Sequence, residues 1–162
     1  MSDKNQNIRT IAVTGGAGFI GRRLVSALRD DGHEVRVIDT ADPQAPVDIT
    51  DPAALSSALQ GVDAVYHLAA EHRDDVRPVS RYYEVNEQGT QNLIQVAEEC
   101  GIQEILFTST VAVYGLNAAE ADEQTPPDPF NDYGHIKRAA EKLLQDWAAQ
   151  DRTRRLLIMR LV

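Results

Sequence analysis

Apolar runs and amphipathic stretches take turns along this chain from one end to the other. Short apolar runs fall at residues 9–14, 34–38, 64–68, 104–109 and 155–161, with a shorter one at 46–48. Between them, at 18–30, 52–59, 82–100 and 133–149, apolar positions recur at the helical period and leave one face polar. Such alternation is satisfied by helices packed on a mostly parallel sheet, because parallel neighbours need a crossover between them. Local punctuation agrees. Asp51 followed by Pro52 is an N-cap with proline at the first helical position, and Gly32, Gly61 and Gly101 stand where helices end. The pattern predicts an α/β fold of one domain with six strands, and no repeat or low-complexity tract interrupts it.

The first strand runs directly into glycines. Residues 8–21 read I-R-T-I-A-V-T-G-G-A-G-F-I-G, with Gly15, Gly18 and Gly21 at the strand-to-helix turn. Glycines there let the backbone approach a pyrophosphate, and the following helix offers its free N–H groups and positive dipole end to the anion. Three glycines alone are a weak signal, compatible with an ordinary turn and with Asp39 as a solvated loop acid. The context strengthens it: the strand at 34–38 ends in Asp39, about 20 residues past the glycines, where an acid binds ribose hydroxyls. Six strands would complete a doubly wound parallel sheet of the Rossmann type, a three-layer αβα arrangement.

Composition narrows the partners. The chain has 162 residues, enough for a sizeable core, and a net charge of −9 that would repel nucleic acid and anionic membrane surfaces. No apolar run reaches membrane-spanning length, and the polar opening at 1–7 lacks a signal-peptide pattern, so a soluble cytoplasmic protein is expected. Cys100 is the single cysteine, which rules out an internal disulfide and a cysteine metal cluster. It is expected to be a small packed residue, and no metal site is expected.

Two loops exceed what connection requires: residues 70–80, which are charged, and 115–132, with Pro126, Pro127 and Pro129. Both follow strand ends on the edge where open α/β sheets bind ligands, so they are either substrate-facing segments or solvated connections. On the last helix Tyr133 and Lys137 lie four residues apart, on one face. A free phenol titrates near ~10, and a neighbouring ammonium favours the phenolate, which makes the pair an acid/base unit. Taken alone, the same spacing also fits a surface packing pair.

Five segments together resemble the extended short-chain dehydrogenase/reductases, specifically the nucleotide-sugar epimerase/dehydratase group. They are T-G-G-A-G-F-I-G (14–21), H-L-A-A (67–70), Y-Y-E-V-N-E-Q-G-T-Q-N-L (82–93), T-S-T-V-A-V-Y-G (108–115) and Y-G-H-I-K (133–137). The resemblance implies that Tyr133 is the catalytic acid/base, that Lys137 lowers its pKa and bonds the nicotinamide ribose, and that Thr110 is the substrate-binding hydroxyl. It implies cofactor contacts at Gly15, Gly18, Phe19, Ile20 and Gly21 for the pyrophosphate turn, and at Asp39 for the adenosine ribose. Asp48 and Ile49 would meet the adenine, with Leu68, Ala69 and Ala70 along the cofactor. Asn86 resembles the helix asparagine that steadies the central strands, or is a plain polar helix residue; Thr110 could equally do no more than finish its strand.

Within that group, dehydratases follow the Thr110 position with an acidic pair and decarboxylating members place a glutamate two residues on. This chain has Val111 and Ala112, which transfer no proton, so the resemblance implies a 4-epimerase or keto-sugar reductase. Asp39 would repel a 2′-phosphate, which favours NAD; Arg22 and Arg23 could soften the preference or simply face water. Members of the group run to roughly twice this length, and Leu161 stands where their last strand here has a proline. Residues 1–162 are therefore expected to be the NAD-binding domain of a truncated chain whose substrate-binding part is absent. The alternative is a catalytically silent dinucleotide-binding or interaction module. A homodimer through the helices at 82–100 and 133–149 is also implied.

Overall fold

The computed structural model describes residues 8–71, 78, 80–116 and 120–162. In chain order the elements are β1 (Thr10–Thr14), α1 (Phe19–Asp30), β2 (Glu34–Ile38), α2 (Pro52–Leu59), β3 (Ala64–His67), α3 (Ser80–Tyr83), a π-turn (Glu84–Gln88), α4 (Gly89–Glu99), β4 (Glu104–Thr110), a 3-10 turn (Val111–Tyr114), α5 (Asp132–Ala149) and β5 (Arg155–Leu161). Among the described residues the strands form one parallel sheet in the order β2-β1-β3-β4-β5. This is the expected doubly wound α/β fold with one strand fewer than predicted.

The missing strand is the one expected at 46–48. Pro43 and Pro46 have no N–H to give a ladder, and the polar groups nearby are already engaged. The Val47 N–H donates to the Asp39 carbonyl at 3.1 Å, and the Asp48 carboxylate accepts from the Thr50 N–H and hydroxyl. The segment is a set of turns that delivers the chain to α2. The helix expected at 82–100 also differs: it begins at Ser80 and widens into the π-turn before resuming as α4.

Alternation along β1 separates two cores. Ile11 and Val13 face α1, with Val25, Leu28 and Val35, whereas Ala12 faces α2, α4 and α5 across a larger cluster holding Leu55, Leu59, Leu93, Leu144 and Trp147. Each fully buried aliphatic side chain there contributes about 1.5–3 kcal/mol. Helices on both faces make the three layers. Because all strands run in one direction, Thr14, Ile38, His67, Thr110 and Leu161 end at a common edge.

Caps set the helix limits. Gly101 closes α4 at φ 72°, and half-buried Cys100 before it accepts a bond from Gln60 at 3.3 Å. Burial pushes that thiol up, which keeps it unreactive. The Asp51 carboxylate accepts from the Ala53 and Ala54 N–H groups at 3.0 and 3.2 Å, at the start of a helix of eight residues. Asp51→Ala should cost about 1 kcal/mol. A urea titration that gives an unchanged midpoint would remove the cap from the account of why α2 begins there.

Candidate functional site

The glycine turn is held by contacts that only glycine permits. Gly15 sits at φ 69°, and a Cβ on it would lie 2.8 Å from the Ala69 nitrogen; a Cβ on Gly21 would run into the Gly15 carbonyl. Gly18 caps α1 without a side chain, and the Arg22 N–H bonds the Gly18 carbonyl at 3.1 Å. The N–H groups of Phe19, Ile20 and Gly21 therefore precede the first helical hydrogen bond, in a first turn that carries no acid. Free N–H groups gathered at a helix start are an arrangement that can hold an anion. Asp39 steadies it from β2: one carboxylate oxygen accepts from the Ala17 N–H at 3.0 Å and the other from the Ala41 N–H at 2.9 Å.

Beneath the turn runs a buried polar chain. The Thr14 hydroxyl accepts from the Leu68 and Ala69 N–H groups, each at 3.1 Å, so its own proton goes to His67 Nδ1 at 2.7 Å. His67 Nε2 then carries the ring proton and donates to the Thr90 hydroxyl at 3.1 Å, which donates to the Asn86 carbonyl at 2.7 Å. His67 is fully buried, and burial, assisted by the Lys137 charge, pushes its pKa down to about 3. Asn86, in the π-turn, donates to the Glu71 and Tyr82 carbonyls at 2.9 and 2.7 Å. It ties α3 to the segment after β3.

A cleft of about 550 Å³ lies on the strand-end edge. Its walls include Gly15, Gly18, Phe19, Ile20, Gly21 and Asp39 together with Leu68, Ala69, Ala70, Thr110, Tyr133 and Lys137. A depression of about 170 Å³ shares Gly15, Asp39, Ala69 and Ala70 with it and adds Asp48 and Ile49. Every residue expected at the site thus lines one or other of these two neighbouring depressions. A larger groove, about 820 Å³, lies elsewhere, between α1 and residues 42–47, and is lined by neither Tyr133 nor Lys137. Of the two long loops, residues 72–77, 79 and 117–119 lie outside the described residues.

Local caps aim the polar groups. The Asn131 side chain caps α5 on the Gly134 N–H at 2.8 Å, and a Cβ at Gly134 would lie 2.7 Å from the Ala112 carbonyl, so the start of α5 abuts the 3-10 turn after Thr110. The Thr110 hydroxyl accepts from the Ala112 N–H at 3.2 Å, a bond that uses a lone pair and not its proton. Lys137 is buried; its Nζ donates to the Thr108 carbonyl at 3.0 Å and lies 4.8 Å from the Phe107 ring centroid. Burial pulls its pKa down to about 8, against the Glu141 carboxylate. Burial raises the half-buried Tyr133 phenol. Desolvation is the cause of that rise, and the Lys137 ammonium is bonded to a backbone carbonyl. Burial also pushes the Asp48 carboxyl up, but hydrogen bonds from Thr50 and Arg81 hold it below the usual range.

Sequence reasoning named no role for His67, Glu141, Arg160 or Tyr114. A histidine within an apolar strand, and an acid four residues past Lys137 on the same helical face, were the available signals. Among the described residues no group of His, Cys, Asp or Glu could hold a metal, and no helix is long and apolar enough to cross a membrane.

The NAD dependent epimerase/dehydratase family profile matches residues 11–162. The chain is 44% identical over 159 residues to the N-acetyl-alpha-D-glucosaminyl-diphospho-ditrans,octacis-undecaprenol 4-epimerase of Escherichia coli O157:H7, covering 94% of this chain and 47% of that protein. It is 38% identical to a 3 beta-hydroxysteroid dehydrogenase/Delta 5-->4-isomerase of Mycobacterium tuberculosis, covering 83% and 41%. UDP-glucose 4-epimerase from Brucella ovis in complex with NAD superposes with a TM-score of 0.85 at 30% identity, covering 94% of this chain and 51% of that one. The UDP-Glc/GlcNAc 4-epimerase from Campylobacter jejuni gives 0.84 at 26%, covering 94% and 53%. The chain spans about half the length of the relatives it matches.

The buried histidine makes a prediction about pH. An unfolded histidine gains its proton near 6.5 and His67 only near 3, so stability is complete above about 6.5 and falls as pH drops towards 3. The limiting slope is about 1.4 kcal/mol per pH unit. Unfolding midpoints measured between pH 6.5 and 4.5, before carboxylates protonate, should show this slope in the native chain and lose it in His67→Gln. A native profile that is flat over that interval would mean that His67 is not held neutral.

Proposed function

The chain belongs to the NAD dependent epimerase/dehydratase family, and we propose that it forms the dinucleotide-binding half of a nucleotide-sugar epimerase or reductase that interconverts an alcohol and a ketone. One observation carries the reading: the groove lined by the glycine turn is also lined by Thr110, Tyr133 and Lys137. Cofactor and acid/base groups then share a wall-to-wall cleft at the sheet edge.

The glycine cradle and the first turn of α1 fit a pyrophosphate, Asp39 the adenosine ribose, and Asp48 with Ile49 the adenine, while Leu68, Ala69 and Ala70 flank the dinucleotide. NAD, when bound, supplies the hydride acceptor and donor. Tyr133 takes or returns the hydroxyl proton of the reacting carbon, and Thr110 holds the same oxygen through the proton its cap leaves unused. With a midpoint near 8, Lys137 is mostly cationic at pH 7 and favours the phenolate once the cleft is filled. Val111 and Ala112 give no second acid, so the site supports a single proton transfer over dehydration or decarboxylation.

A second reading, dinucleotide binding without turnover, is favoured by the share of its relatives that the chain spans, about half their length. Our proposal also includes a cytoplasmic setting and a homodimer through α4 and α5, for which the native mass by light scattering should be that of two chains. In the complete enzyme Tyr133→Phe should lower kcat by about 10²–10⁴ and leave NADH affinity within about twofold; retained turnover would exclude Tyr133 as the acid/base. The 162-residue chain should bind NADH in preference to NADPH in a fluorescence titration, because Asp39 repels a 2′-phosphate.

A further inference from the structure

Glu141 has no exposed surface, yet it lies on α5 one turn past Lys137 and two past Tyr133, on the same helical face. A buried carboxylate is costly unless it is both paired and hydrogen-bonded. Arg160 on β5 meets that need in fork geometry, with Nε donating to Oε1 at 2.9 Å and Nη2 to Oε2 at 2.8 Å. Arg138 adds a bond to Oε2 at 3.2 Å. The remaining arm of Arg160, Nη1, donates to the Tyr114 hydroxyl at 2.7 Å. Tyr114 closes the 3-10 turn that follows Thr110, and Arg160 stands opposite Ser109 in the sheet register. One guanidinium therefore fastens together the helix bearing Tyr133 and Lys137 and the strand end bearing Thr110.

We propose that Glu141, oriented by Arg160, is a positioning residue that holds Lys137 as a cation at the cleft and sets α5 against Thr110. The proposal rests on the reading of Tyr133 and Lys137 as a working pair. The groups around Lys137 divide clearly. Tyr133, Arg138 and Glu141 come from its own helix; β3 contributes His67, which is neutral; β4 contributes the Phe107 ring and the Thr108 carbonyl; and β5 contributes Arg160, which shares the Glu141 carboxylate with Arg138. Glu141 is the anion that opposes the loss of the Lys137 proton. A strap needed for stability alone would do as well with an apolar contact between α5 and β5.

The chain has three lysines, Lys4, Lys137 and Lys142, so the side-chain nitrogen resonances of lysine-labelled protein can be followed one by one against pH. Lys137 should titrate near 8 in the native chain, at lower pH in Glu141→Gln, and between the two in Glu141→Asp, which keeps the charge. Tyr114→Phe removes one arm of Arg160 and leaves the ion pair, so its Lys137 midpoint should match the native one. NADH binding should weaken by about tenfold in Glu141→Gln, the worth of one charge-assisted hydrogen bond. A folded Glu141→Gln chain with native Lys137 midpoint and native NADH affinity overturns the proposal. Should that variant not fold, the native chain decides: the Glu141 carboxyl carbon should show a step at the Lys137 midpoint, and a flat trace overturns the proposal. A native chain that binds no NADH counts against the dinucleotide reading, and the Lys137 titration then decides the positioning role by itself.

Discussion

The shape of the groove depends on where one hydroxyl proton points. Thr14 ends β1, and its oxygen gathers the Leu68 and Ala69 N–H groups, which turns the chain away from β3 just where the Gly15 backbone comes closest to it. The oxygen can accept both only if its proton is directed elsewhere, and His67 Nδ1 is the acceptor. That requires a neutral ring, which complete burial enforces. The packing of β3 inside the sheet thus sets a protonation state, and that state leaves the Thr14 oxygen free to hold the Ala69 N–H and to share the Leu68 N–H with the Thr14 carbonyl. The same chain of bonds reaches Asn86 in the π-turn, so the segment after β3 is braced from two directions.

Local patterns were legible in the sequence and cross-sheet partnerships were not. Gly15, Gly18 and Gly21 could be recognised because the whole turn lies within a few residues, and Tyr133 with Lys137 because a helix converts their spacing into a shared face. The run at 46–48 misled because three residues are too few to distinguish a strand from a turn, and the side-chain bonds of Asp48 decided the matter. The π-turn was equally hidden: one extra residue in a helical period leaves the apolar pattern almost unchanged. Glu141 and Arg160 stand nineteen residues apart in the chain and acquire meaning only when β5 lies beside β4 under α5.

Electrostatics at the cleft follow from burial more than from the overall charge. The chain is strongly acidic, yet Lys137 is drawn towards neutrality and the Tyr133 phenol away from ionisation, each by loss of water. Desolvation pushes both groups in the direction of the neutral form. Glu141 works against it at Lys137, and Arg160 meets the cost of burying Glu141. The carboxyl's own burial is offset by hydrogen bonds from Arg160 and Arg138, which hold it below the usual carboxylate range.

This arrangement bears on why the proposed acid/base pair stands on a helix while the third candidate ends a strand. A strand end is fixed by its ladder, and Thr110 is held by the register of β4 with β5. A helix can slide and rotate over a sheet, and a shift of about 1 Å is enough to cost about 10²-fold in rate. Apolar packing resists such movement only weakly, because it has little directional preference. The fork between Glu141 and Arg160 is directional, with two bonds in one plane, and it anchors α5 to the strand whose register already fixes Thr110. The close approach of Gly134 to the Ala112 carbonyl fixes the other end of the same helix. Lys137 lies between those two points and Tyr133 stands next to the first, so the precision that the proposed chemistry requires comes from a helix pinned at two places along its working turns.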